Sequence, residues 1–261
     1  MGLADSMIPV SISNTAQKTL HHAFSLFYEG RLPRDIIVEE NLKTCYNGDY
    51  GITLRNYPRE GELSVCGRYC IAEDDLSDEL SRMIDELNRK KTPEGLKTSG
   101  EIFPSDIVPV LANSRKQDVQ PFAMRWGYAF PNGRPIINAR SETAAQKPMF
   151  KDGMRQRRCV IPASHYFEWE RHGAARTKYA IRPAHADTLY LAGIYHLENH
   201  DGVIVPAFTI LTRDAAPGIA FIHPRMPVLL PADAAPDWLN PGYNAEEVVA
   251  AALTEMEYRS A

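Results

Sequence analysis

The reactive residues of this chain stand in four short runs: Cys66-Gly67-Arg68-Tyr69, Asn138-Ala139-Arg140-Ser141-Glu142-Thr143, Phe167-Glu168-Trp169 and His223-Pro224-Arg225-Met226-Pro227. A cysteine acts through its thiolate, whose pKa lies near about 8.5 unless its surroundings lower it. A cysteine that is also the first residue of a chain is a 1,2-aminothiol. It condenses with an aldehyde to an imine, and thiol addition then closes a five-membered thiazolidine. The amine must be neutral to attack, and an α-amino group titrates near about 8, so a useful fraction is free at cellular pH. An internal cysteine cannot close that ring. Cys66 has 65 residues in front of it, so the true start of the protein decides its chemistry. Left internal, it reads equally well as a small buried apolar residue.

The other runs supply proton-transfer groups. Glu168 interrupts an aromatic stretch, Ala163 to Trp169. Facing inward between Phe167 and Trp169, its carboxyl would lose solvation and its pKa would rise toward the range useful for general acid and base work. Strand alternation also permits the opposite, with Glu168 in water and its neighbours in the core. His223 precedes two prolines that stiffen the segment and hold it extended. Its imidazole can donate or accept a proton near neutral pH, or serve as a hydrogen-bonded structural group.

From Cys66 to about Trp238 these runs together resemble the SOS-response-associated peptidase (SRAP) family, which links itself covalently to abasic sites in single-stranded DNA. The resemblance implies that Cys66 captures the aldehyde of the ring-opened deoxyribose, and that Glu168 assists ring opening and proton transfer to the departing ring oxygen. It implies that His223 handles a proton during imine formation, and that Asn138 orients the sugar or the Cys66 amine. Arg68, Arg140 and Arg225 become a phosphate clamp, with guanidinium geometry suited to bidentate contact. Glu142 is expected to pair with an arginine. Pro104 and Trp126 match positions where the family packs against or wedges between nucleotides, although Trp126 fits a core position equally well. His165 stands where the family commonly has glycine and is given no catalytic role. The bond before Cys66 must be open for this chemistry, so residues 1–65 are expected to be an extension absent from, or removed in, the functional protein, with 66–261 as the working domain. One route is cleavage of a propeptide, in keeping with the self-processing peptidase activity that the family name implies. The other is initiation at Val65, read from a GTG codon behind a purine-rich stretch encoding Arg59-Glu60-Gly61-Glu62.

Two other classes fit parts of the pattern. An ordinary cysteine peptidase would use an internal Cys66 with His223 as base and Glu168 as orienter, but it leaves the accompanying arginines unexplained. A non-catalytic single-stranded nucleic-acid module would need Trp126 and the arginines only.

Apolar spacing gives the elements that must position these groups. A helix is expected over residues 14–28, and another over Asp74 to Lys90, where Leu76, Leu80, Met83, Ile84 and Leu87 stripe one face. Lys91 to Gly100 reads as a loop. Runs rich in Val, Ile, Tyr and Phe predict strands over Ile107–Leu111, Phe122–Phe130, Cys159–Glu170, Lys178–Arg182, Leu189–His196 and Val203–Thr212. A last helix is expected over Ala245–Tyr258. The strands arrive as a run, so the fold class is α+β: a mainly antiparallel curved or barrel-like sheet with flanking helices.

Composition sets the remaining bounds. At 261 residues, 44% hydrophobic and 24% charged, the chain is an ordinary globular one. Its net charge of -4 means that DNA phosphates must be met by a few placed arginines, not by a general field. The four cysteines are too few for a disulfide scaffold. Cys66 and Cys70 have a metal-pair spacing, as do His196 and His200, but the histidines read as part of a polar turn, so no metal is expected and no cofactor either. With no membrane span and no signal sequence, a cytoplasmic monomer is expected.

Overall fold

The computed structural model describes residues 66–72, 78–89, 95–130, 133–173, 175–186, 188–200 and 202–261; the helix expected over 14–28 lies outside them. In chain order the elements are β1 (Arg68–Ile71), α1 (Asp78–Arg89), β2 (Gly100–Ile102), β3 (Ile107–Asn113), β4 (Val119–Trp126), β5 (Asn138–Arg140), α2 (Ser141–Ala144), α3 (Pro148–Gln156), β6 (Arg158–Ala163), β7 (His165–His172), β8 (Ala175–Pro183), β9 (Leu189–His200), β10 (Val203–Asp214), β11 (Arg225–Pro227), β12 (Leu229–Leu230), α4 (Ala235–Leu239), α5 (Ala245–Ala250) and β13 (Met256–Ser260). This is the α+β architecture that the run of strands predicts.

Strands β10, β4, β3, β6 and β9 pair in that order, and β9 pairs back with β10, which closes a barrel. The closure mixes directions: β10 runs parallel to β4 and β5 and antiparallel to β9. All six residues of β6 are buried, as expected of a strand covered on both faces. Gly193 in β9 shows how tight the barrel is. A Cβ there would lie 2.6 Å from Ile161 Cδ1, 2.9 Å from Cys159 Sγ and 3.1 Å from the Thr209 carbonyl oxygen.

A second sheet, ordered β13-β8-β7-β1-β2, is antiparallel throughout. Its register fixes which side chains share a face. Tyr69 lies opposite Tyr166, Tyr166 opposite Ile181, and Glu168 opposite Tyr179, so strand alternation places all of them on one side. The opposite side carries Arg68, Phe167, Trp169 and Lys178.

Three expectations are corrected. The stretch Cys159–Glu170 is two strands, because the chain leaves the barrel at Ser164 and enters the second sheet. Ser164 marks the crossing: its N–H donates to the Cys70 carbonyl at 2.8 Å and its Oγ accepts from the Ala72 N–H at 2.9 Å. The closing helix ends at Ala250, and Met256–Ser260 instead forms an edge strand on β8. The polar segment from His196 is strand as far as His200. It is anchored by the buried carboxylate of Glu198, which accepts from the Ala129 N–H at 2.7 Å, pairs with Arg125, and bonds the Nε2 atoms of His196 and His200 at 2.7 and 2.9 Å.

Candidate active site

Cys66 sits two residues ahead of the first residue of β1 and is fully buried, with a left-handed φ of 48°. That conformation is uncommon for a residue with a side chain. The Cys66 nitrogen donates to Glu168 Oε2 at 2.8 Å. Glu168 faces inward, 5% exposed, which settles its two sequence readings in favour of the desolvated one. Burial raises its pKa; the Cys66 N–H, the charge of His223 and the Trp169 N–H, 3.3 Å from Oε1, oppose that rise. The Cys66 thiol is itself driven well up by burial and then by the Glu168 charge.

His223 is 6% exposed. Its Nδ1 lies 3.0 Å from the Arg225 N–H and 3.1 Å from the Arg225 carbonyl oxygen, so the backbone of Arg225 fixes the ring whichever nitrogen carries the proton. Proximity in space thus unites Cys66, Glu168 and His223, whose sequence separations give no hint of it.

Arg225 joins two of the runs. Its guanidinium grips Glu142 in a fork, at 2.7 Å to Oε1 and 2.9 Å to Oε2, and also bonds Asp214 at 2.7 Å and the Thr212 carbonyl at 2.8 Å. The expectation that Glu142 pairs with an arginine is met. The Arg225 guanidinium is thus engaged by two carboxylates, and the charge of Arg140 also acts on Glu142. Arg225 is a tether that holds the His223 segment against α2. Arg140, by contrast, ends β5 with its side chain exposed, and Asn138 at the other end of that strand is half-buried. Both are held by parallel pairing to β10, Asn138 opposite Ile210 and Arg140 opposite Thr212.

Arg68 lies on the other side of the second sheet. Its guanidinium stands 4.6 Å from the Phe103 ring and 5.2 Å from the Trp169 ring, and it reaches Glu101 at 3.4 Å. Glu101 also bonds Lys178, which holds its carboxyl below the usual range, and Lys178 lies 3.7 Å over Phe167. Glu101, Lys178 and the exposed Phe103 were not anticipated from sequence, since each belongs to this layer only through pairing between distant strands. Pro104 follows Phe103 in a tight turn closed by the Asp106 N–H on the Phe103 carbonyl at 3.0 Å, and is half-buried.

Trp126 is core. It is 0% exposed, its indole N–H donates to the Ile137 carbonyl at 3.1 Å, and its ring stacks on Phe208 at 6.4 Å. The expectation that it stacks a DNA base is therefore corrected. Trp126→Ala is expected to cost about 3–5 kcal/mol of stability, the usual range for emptying a large aromatic site, as measured by urea unfolding. A loss below about 1 kcal/mol would contradict this placement.

Among the described residues no group of three or more Cys, His, Asp or Glu side chains could hold a metal ion. Among the described residues Cys66, Cys70 and Cys159 form no disulfide, and no described helix is long and apolar enough to cross a membrane.

The geometry has counterparts. The family model described as SOS response associated peptidase (SRAP) matches residues 65–260, a longer span than the sequence motifs cover. The chain is 32% identical over 189 residues to "Abasic site processing protein YoaM" of Bacillus subtilis, covering 68% of this chain and 80% of that one. It is 29% identical to "Abasic site processing protein YedK" of Escherichia coli, covering 71% and 86%. A solved protein from Bacteroides thetaiotaomicron shares the fold with a TM-score of 0.60 at 22% identity, over 75% of this chain and 91% of that one. The chain belongs to the SOS response associated peptidase (SRAP) family.

Proposed function

We propose that this protein captures abasic sites in single-stranded DNA by closing a thiazolidine between Cys66, as the first residue of the reactive form, and the aldehyde of the ring-opened sugar. One observation carries the reading: the Cys66 nitrogen, not its sulfur, is the atom held 2.8 Å from the buried carboxylate of Glu168. A thiol-first peptidase needs a base on sulfur, and the Cys66 sulfur instead reaches the Arg68 carbonyl at 3.8 Å. The names of the relatives, as abasic site processing proteins, support the same substrate.

The steps follow from the side chains. A desolvated Glu168 retains a protonated fraction at higher pH than an exposed carboxyl, and donates that proton to the sugar ring oxygen as the ring opens. The neutral Cys66 amine adds to the aldehyde carbon. The resulting carbinolamine loses water to give the imine, with a protonated His223 handing its proton to the departing hydroxyl and ending as the neutral ring. The thiol then adds to the imine carbon and closes the ring. This removes the imine that would otherwise promote β-elimination, so the strand is shielded from cleavage. Arg68, Arg140 and Arg225 are the arginines assigned to the flanking phosphates, with Arg140 exposed and the other two held by carboxylates.

Protein beginning at Cys66, incubated with a single-stranded oligonucleotide carrying one abasic site and then heated, is expected to give a covalent protein–DNA band on a denaturing gel. Cys66→Ala is expected to give none. An equal yield of heat-stable adduct from that variant would overturn the proposal.

A further inference from the structure

Tyr166 and Tyr69 face each other across β7 and β1, and their rings are 1% and 0% exposed. Tyr166 stands two residues from Glu168 on the same strand and so shares its face. Neither hydroxyl has a hydrogen-bond partner among the described residues. A buried O–H without a partner costs free energy, and folded proteins keep few of them without a use. A core that needed only the ring would be served by phenylalanine, which has nearly the same shape and no polar atom to satisfy.

The two tyrosines differ in surroundings. Tyr69 packs its ring on Trp126, with centroids 5.2 Å apart, and its hydroxyl feels burial and then Cys66, Asp106 and Cys159. The Tyr166 hydroxyl is driven well up by burial and then by the charges of Cys66 and Glu168, the two groups of the proposed reaction. It therefore keeps its proton through the neutral range and remains a donor.

Among the described residues no such donor reaches the Cys66 sulfur. Its hydrogen bond in the structure is one it gives, to the Arg68 carbonyl. A carbonyl acceptor favours the thiol over the thiolate, and both burial and Glu168 push the same way. Negative charge developing on sulfur during attack thus meets an unfavourable site unless an O–H turns toward it.

We propose that Tyr166 is a catalytic residue, its hydroxyl donating a hydrogen bond to Cys66 Sγ as the sulfur adds to the imine carbon. In that step the S–C bond forms and the C=N π pair moves to nitrogen. The thiol proton passes by way of the Glu168 carboxylate to that nitrogen, and Tyr166 retains its own proton. The inference rests on the reading of Cys66 as both amine and thiol nucleophile.

Tyr166→Phe in protein beginning at Cys66 tests it through two independent readouts. The rate of adduct formation on abasic single-stranded DNA is expected to fall roughly 10- to 100-fold, in the lower range for loss of one preorganised donor. Affinity for an oligonucleotide bearing an unreactive tetrahydrofuran site should be unchanged. The second readout needs no DNA: alkylation of Cys66 by iodoacetamide, followed by mass spectrometry of the N-terminal peptide, should require higher pH in the variant. The thermal midpoint should stay level or rise, because an unsatisfied hydroxyl has been removed. An unchanged alkylation profile overturns the proposal, and does so with particular force if the midpoint also drops, since the hydroxyl would then be structural. A shifted profile in a protein whose wild type forms no DNA adduct would remove the abasic-site reading while leaving the Tyr166–Cys66 contact supported.

Discussion

Protein that retains even one residue in front of Cys66 is expected to form no heat-stable adduct with abasic single-stranded DNA, whereas protein beginning at Cys66 forms it readily. The reason is chemical. An amide nitrogen has its lone pair delocalised into the carbonyl and cannot add to an aldehyde, so an internal cysteine offers only its thiol. A thiol alone gives a hemithioacetal, which reverses. The thiazolidine needs both heteroatoms on one residue, and the Cys66 nitrogen is the one already seated against Glu168 at 2.8 Å. The comparison uses the full chain and a chain beginning at Cys66, each matched for folding by circular dichroism, on the same oligonucleotide. A full chain that crosslinks at the shorter protein's rate, with its Met1 intact by mass spectrometry, would rule out both routes to a free amine. If the native protein instead yields an N-terminal peptide starting at Cys66, the codon at Val65 separates late initiation from cleavage.

How much of this could be read from the sequence depends on the range of the interactions involved. The strands of β3, β9 and β10 announce themselves through apolar runs of Val, Ile, Leu and Phe, and the barrel follows from having many of them in succession. The pairing of Glu142 with an arginine was legible because the two runs carry complementary charge. The break at Ser164 was not, since no glycine marks it and the decision to change sheets is made by partners elsewhere: the Cys70 carbonyl and the Ala72 N–H. Residues Met256–Tyr258 were placed in the closing helix, yet the edge of β8 offers backbone partners that helix propensity cannot outweigh over so short a segment. Trp126 illustrates the same limit within the site. A tryptophan beside a glycine is compatible with a base platform or a core position, and only the Ile137 carbonyl and the Phe208 ring, supplied by other strands, decide between them. The partners of Arg225, Asp214 and Glu142, likewise come from distant parts of the chain.

Glu168→Gln is expected to slow adduct formation by about 10²- to 10⁴-fold, the usual worth of a positioned general acid or base, while leaving affinity for tetrahydrofuran-site DNA within about twofold. Glutamine keeps the shape of the side chain and an oxygen that can accept from the Cys66 nitrogen, so the site stays assembled while losing its exchangeable proton. The same substitution should make the protein more stable at neutral pH. Burial raises the Glu168 pKa above its ordinary 4.5, so the folded state holds that proton more tightly than the unfolded chain does. The stability this contributes is fully present below the unfolded value and is lost as pH rises through the folded one. At pH 7 the native carboxylate is therefore a liability that glutamine removes, and the advantage of the variant should shrink as pH falls toward about 4.5. Urea midpoints measured from pH 4 to 8, alongside adduct rates, distinguish this from a packing role. A variant that is both slower and less stable at neutral pH, or that loses DNA affinity in proportion to rate, would show that Glu168 holds the fold together. A gain in stability coupled to a loss of rate is what a buried acid kept for chemistry requires.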